Sequence, residues 1–284
     1  MSGQSTTRTA SGSGGTGRGS APGRTGRILS GLAVALGMVL FLGGFVWGAV
    51  VYRPYTVPTT SMAPTIGAGD RVLAQRIDDA DVRRGDVVVF RDENWADVPV
   101  LKRVVAVGGD TVSCCEDGRL EVNGKEIDEP YLSRDDLADL QTFPEVTVPE
   151  GRLFLLGDER SGSVDSTAHL TDAANGTVAR SAVQARVDAV VWPMDGMLPA
   201  PSGFRELGAL SSPGPLPVML AMIVTGAVLV LGGAAYTPLA QRAAASRARA
   251  GKGAGGSAGS AGRAGSAGPA AGSSGTGTGS SGGR

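Results

Sequence analysis

Two long uncharged stretches, Ile28 to Tyr52 and Leu216 to Tyr236, divide this 284-residue chain and limit what it can become. At a rise of about 1.5 Å per residue, roughly 20 apolar residues cross a hydrocarbon layer about 30 Å thick, so each stretch is long enough to span. The first outruns the roughly 7 to 15 apolar residues of a cleaved secretory signal, which points to an uncleaved anchor. The second is diluted by Thr225, Gly226, Gly232 and Gly233. It keeps the length of a span, with a buried or interfacial helix as the alternative.

Charge orients the two spans. Arg8, Arg18, Arg24 and Arg27 precede the first with no acid among them, and Arg242, Arg247, Arg249, Lys252, Arg263 and Arg284 follow the second, again without an acid. All 27 acidic residues lie between Tyr52 and Leu207. The positive-inside tendency places both basic tails in the cytoplasm and the intervening segment outside the cell membrane. That segment is strongly acidic, which argues against a nucleic-acid partner. Residues 1–27 and 237–284 are poor in large apolar side chains, rich in Gly, Ser and Ala, and expected to be disordered.

Adjacent Cys114 and Cys115 face an oxidising compartment, as a strained vicinal disulfide or as two thiols; neither form staples a fold. With His169 as the single histidine and no spaced cysteine pair, a zinc site is not expected.

Between the spans, short runs rich in Val, Leu and Ile alternate with Gly- and Asp-bearing turns. Strands are expected at Arg71–Ile77, Asp86–Phe90, Val100–Val107, Thr111–Cys115, Arg119–Val122, Arg152–Leu156 and Ala185–Trp192. Asn123-Gly124 is a strong two-residue hairpin signal. Ser133–Pro149 and Ser166–Thr177 read as loops or short helices. The outer segment is therefore mostly antiparallel β and long enough for one core.

Such a domain could bind, transpeptidate or hydrolyse. A reactive cysteine paired with His169 is a weak option, because His169 lies far along the chain from the cysteines. A Ser-His-Asp triad would need the same loop histidine. In Tyr55-Thr56-Val57-Pro58-Thr59-Thr60-Ser61-Met62-Ala63-Pro64, two prolines hold an extended chain around Ser61, just past the first span. Alone this is an ordinary turn. Lys102, in the apolar run Val100 to Val107, supplies a partner: burial disfavours its ammonium form, and a neutral amine can take a serine proton. Alternation along a strand puts either Lys102 or Arg103 inside, and does not say which.

Four segments in order, Pro58 to Thr65, Arg84 to Phe90, Lys102 to Asp110 and Leu156 to Ser166, resemble the motif series of bacterial type I signal peptidases. The resemblance covers about residues 28 to 195, and the second C-terminal helix and basic tails are similar to actinobacterial members. It implies an antiparallel, β-rich signal-peptidase-type catalytic domain (53–200) flanked by transmembrane helices at 28–52 and 216–236, with a linker at 201–215.

The resemblance further implies that Ser61 is the nucleophile, Lys102 its general base, and that the Ser61 amide and the Thr59 hydroxyl form the oxyanion hole. Ser163 would orient the lysine amine, while Asp158, Arg160 and Asp165 brace the site. Val57, Pro58, Met62, Ile66, Val100 and Leu101 would line a pocket for small side chains. Implied substrates are secretory preproteins met at the membrane surface, among membrane lipid and with secretion machinery as a possible neighbour; no cofactor is implied. The last motif departs from the family at Glu159, Ser161, Gly162 and Thr167, where Asn, Asp, Asn and Arg are usual. A missing Arg at 167 is expected to leave Asp158 or Asp165 less well paired. The rival readings are a self-cleaving repressor-type Ser/Lys protease and a catalytically dead membrane-anchored binding factor.

Overall fold

A computed structural model describes residues 23–78, 81–115, 119–133, 135, 137 and 140–254. The terminal tracts 1–22 and 255–284, most of the expected disordered tails, lie outside the described residues. The structure divides into two compact units. One takes in the helix ends, its described parts being 23–30 and 233–254, and the other is Gly31–Gly232.

Helix α1 (Gly23–Val51) and helix α2 (Leu216–Ala254) contain the two apolar spans, Gly26–Val51 and Leu216–Tyr236. In the most apolar 18 residues of each, 11% and 17% are buried, in contrast to the mostly buried core helix of a soluble protein. Within the larger unit the two helices meet at glycines. A Cβ on Gly37 would lie 2.8 Å from the Gly226 carbonyl oxygen, and one on Gly226 would lie 2.6 Å from the Phe41 nitrogen. Close backbone approach through small residues is how helices pack where hydrocarbon, not water, is the solvent. The α2 helix continues past the apolar span to Ala254, into residues expected to be tail.

The domain between the helices is two antiparallel sheets. Its strands are β1 (Tyr52–Thr56), β2 (Arg71–Gln75), β3 (Val87–Asp92), β4 (Ala96–Val107), β5 (Thr111–Cys114), β6 (Glu121–Val122), β7 (Lys125–Glu126), β8 (Phe143–Thr147), β9 (Arg152–Leu156), β10 (Val178–Ala179), β11 (Val183–Trp192) and β12 (Gly196–Met197). The larger sheet runs β1-β2-β11-β3-β4-β9-β10, with β12 paired to β11; the smaller runs β7-β6-β5-β8. All seven expected strands form, shifted by a few residues at their ends. Asn123 and Gly124 close the β6–β7 hairpin with φ of 55° and 70°.

Strand β8 falls inside the expected loop 133–149. Its pattern is poor, Phe143-Pro144-Glu145-Val146-Thr147, but Phe143 and Val146 are buried where β8 pairs with β5. The segment 201–215, expected as a linker, packs on the domain. Phe204 is buried in the apolar cluster of Val105, Phe154 and Leu156, and Arg84 Nη1 donates to the Leu207 carbonyl at 3.0 Å. Cys114 and Cys115 are joined as a vicinal disulfide at the end of β5.

Strand β4 is central, held between β3 and β9. Here the expectation that only one of Lys102 and Arg103 is inside fails: they are 2% and 4% exposed. The pleat does send them to opposite sides, but both sides of an interior strand are covered in this domain. Val88 stands opposite Lys102 and Val87 opposite Arg103, and both valines are buried too.

Candidate active site

The first functional segment leaves β1 and turns at Thr60 to Ala63, where the Ala63 amide donates to the Thr60 carbonyl at 2.7 Å. Met62 and Ile66 then pair through a single bridge and are fully buried. These two anchors press the loop onto the domain. Ser61, between the exposed Thr60 and the buried Met62, stays half-buried at the surface. Its Oγ lies 3.2 Å from Thr59 Oγ1, within hydrogen-bonding distance.

Lys102 reaches the site from β4. Its Nζ donates to Ser163 Oγ at 2.8 Å. Desolvation lowers the amine's pKa from the ordinary lysine value, opposed in order by the charges of Asp165, Asp158 and Glu159. The amine is thus buried and oriented by one hydroxyl, with carboxylate charges nearby.

Ser61 and the Lys102–Ser163 pair meet at Gly157, the residue just after β9. A Cβ there would lie 2.5 Å from the Ser61 carbonyl oxygen and closer still to Ser163 Oγ. No side chain other than hydrogen fits this approach. The Glu159 amide donates back to the Ser61 carbonyl at 3.2 Å, tying the serine loop to the last motif.

The bracing residues each hold a different side-chain partner and are linked to one another through Gly157 and Tyr131. Asp158, fully buried, takes both nitrogens of a fork from Arg103: Nε to Oδ1 at 2.8 Å and Nη2 to Oδ2 at 2.6 Å. Arg103 also donates to the Gly85 carbonyl and lies over the Tyr131 ring, 3.8 Å from its centroid. Arg160 forks onto Glu129, at 2.9 and 2.5 Å. Asp165 accepts from the Gly157 amide at 2.9 Å, from the Thr167 amide at 3.1 Å and from the Thr167 hydroxyl at 2.8 Å.

With Thr in place of Arg at 167, Asp158 keeps a cationic partner, whereas Asp165 is held by the neutral donors of Gly157 and Thr167. Asp158 has Arg103, and Asp165 caps the short helix Ser166–His169 with the Thr167 hydroxyl as a further donor. Arg103, Glu129, Tyr131 and Gly157 went unassigned in the sequence. Gly157 carried a signal, a lone Gly between a strand and an acid, whereas nothing in Asp128-Glu129-Pro130-Tyr131 marks a partner 31 residues away.

Of the six residues expected to line a pocket, Val57, Met62, Ile66 and Leu101 share one buried cluster with Val87, Val89 and Ala185. Pro58 is exposed beside them, while Val100 packs against the neighbouring cluster of Val88, Phe90 and Val104. His169 is remote in role: it stacks on Trp95 at 4.5 Å and pairs with Asp172.

The signal peptidase, peptidase S26, family model matches residues 28–192. A probable signal peptidase I of Mycobacterium leprae is 34% identical over 223 residues, which cover 57% of this chain and 73% of that relative. Signal peptidase I of Mycobacterium tuberculosis is 34% identical over 193 residues, 50% of this chain and 66% of the relative. Signal peptidase I S of Bacillus subtilis is 35% identical over 149 residues, 48% and 74% of the two chains. A crystal structure of a signal peptidase I from Enterococcus faecalis is 27% identical, covers 42% of this chain and 97% of its own, and has a TM-score of 0.30. The family match spans more than half of the chain and takes in the serine loop, β4 and the last motif, and on it this chain belongs to the signal peptidase family of serine endopeptidases, peptidase S26.

Proposed function

We propose that Ser61 and Lys102 are the catalytic dyad with which this signal peptidase removes N-terminal signal peptides from secretory preproteins. The observation that carries the reading is the buried Lys102 amine, held by Ser163, whose hydroxyl and the Ser61 carbonyl oxygen crowd the same face of Gly157.

The chemistry is acyl transfer. Ser61 Oγ attacks the scissile carbonyl carbon while its proton passes to neutral Lys102 Nζ. The carbonyl oxygen becomes an oxyanion, stabilised by the Ser61 amide and the Thr59 hydroxyl; donors of this kind are aimed at charge that appears only in the transition state. The C–N bond then breaks as Lys102 returns its proton to the departing amine. Water, deprotonated by Lys102, attacks the acyl-enzyme carbonyl, the C–Oγ bond breaks, and Ser61 regains its proton. Each step needs only the two side chains and the oxyanion donors.

The substrate binds as an added strand, which satisfies its backbone whatever its sequence. Small side chains before the cut fit a site walled by Val57, Met62, Ile66 and Leu101, because these side chains are packed and leave little room. Both spans cross the cell membrane with the tails in the cytoplasm, so the β domain faces outside. Strand β1 begins at Tyr52, directly after α1, and keeps Ser61 near the lipid surface where signal sequences emerge. Lipid and, at that surface, the secretion machinery are the protein's neighbours.

The test is cleavage of a purified preprotein with Ala at the first and third positions before the cut, read by the N-terminus of the product. Wild type yields the mature N-terminus, and replacing either Ala with Phe abolishes the cut. Full activity in Ser61→Ala contradicts the assignment.

A further inference from the structure

Glu129 lies three residues beyond β7, outside all four motif segments, yet its side chain is 2% exposed and fully engaged. Oε2 accepts from Arg160 Nη1 at 2.9 Å, and Oε1 accepts from Arg160 Nη2 and from the Tyr131 hydroxyl. Arg160 in turn sends Nε to the Gly157 carbonyl at 2.9 Å. The Gly157 amide donates to Asp165 Oδ2, also at 2.9 Å. Both backbone polar groups of Gly157 are thus fixed by buried charged side chains, from opposite directions.

We propose that Glu129 is a positioning residue: through Arg160 it fixes the Gly157 peptide, the shelf on which the Ser61 main chain and the Ser163 hydroxyl meet beside Lys102. This inference rests on the dyad assigned above.

Two physical arguments favour positioning over simple stabilisation. Burying an ion pair costs desolvation that a well-packed apolar pair avoids, so a buried Arg–Glu fork is a poor device for stability alone. It is a good device for angle, since a bidentate guanidinium–carboxylate pair sets the guanidinium plane, and that plane aims Nε at one carbonyl. The neighbouring Tyr131 extends the device. Its hydroxyl donates to Glu129 and its ring lies under the Arg103 guanidinium, so one short segment touches both buried ion pairs, Arg160–Glu129 and Arg103–Asp158. A shift of about 1 Å in a reacting group is enough to cost on the order of 10²-fold in rate.

The experiment compares wild type, Glu129→Gln, Ser163→Ala and the double variant, with Arg119→Gln, an exposed ion-pair residue, as the control that keeps wild-type activity. Glu129→Gln keeps the size and one acceptor, and circular dichroism checks that it folds. Two readouts are taken. Hydrogen exchange over residues 156–163 is expected to quicken in Glu129→Gln while exchange in β11 stays as in wild type. On an Ala-X-Ala peptide, kcat is expected to fall about 10- to 10²-fold with KM within twofold, and this loss is expected to shrink in the Ser163→Ala background, because the contact through which Glu129 acts is already gone. Unchanged exchange over 156–163, or a loss of the same size in both backgrounds, overturns the proposal. If wild type cleaves no peptide, the dyad assignment fails, while the exchange result still decides whether Glu129 holds the shelf.

Discussion

Lys102 carries two opposed demands, and both are measurable. Burial lowers its pKa, so between that lowered value and the ordinary 10.5 the folded protein binds fewer protons than the unfolded chain. Stability from this group therefore rises with pH across that window, and below it the full cost of burying a charge is present. Lys102→Met removes the cost: a higher melting temperature at neutral pH, with a weaker pH dependence, is expected beside complete loss of peptide cleavage. Glu159 opposes the lowering, so Glu159→Asn is expected to move the rising limb of kcat/KM to lower pH. A limb that stays in place or moves up contradicts that electrostatic account. Thr167→Ala removes one donor from Asp165 and is expected to cost about 0.5–1.5 kcal/mol in urea unfolding.

At the scale of elements, β4 and the turn after β9 show what sequence carries and what it does not. The Val104–Val107 run and the Ser61 loop were legible because hydrophobic pattern and proline placement are local properties. The simultaneous burial of Lys102 and Arg103 was not, because alternation assigns faces but cannot say whether both faces are covered. Strand β8 was missed for a related reason: Pro144 and Glu145 break its pattern, and pairing with β5 overrides weak propensity. Glu129 and Arg160 meet 31 residues apart, beyond any local rule. Gly157 joins these elements. Gly157→Ala places a methyl against the Ser61 carbonyl and Ser163 Oγ, and is expected to lower kcat at least about 10²-fold. Its overpacking cost is expected near 1–3 kcal/mol. Wild-type kcat in a folded Gly157→Ala protein would show that the two serines do not meet there.

At the scale of the whole molecule, two apolar helices bracket the β domain in sequence, and Ser61, the proposed nucleophile, follows Val51 within ten residues. The helix pair was legible as two spans, while their contact through Gly37 and Gly226 was not, since several glycines dilute both stretches. Gly226→Val is expected to lower thermal stability in detergent and to leave kcat on a short soluble peptide within about twofold, because the dyad lies wholly in the β domain. The central claim is that Lys102, its pKa lowered by burial, is the base for Ser61. Its most direct test is the pH dependence of kcat/KM for Ala-X-Ala peptide cleavage by wild type and by Lys102→Ala. The account predicts a wild-type rate that rises through one ionisation below 10.5, and a Lys102→Ala rate reduced by at least about 10⁴-fold at every pH. A Lys102→Ala protein that retains full activity with the same profile would contradict it.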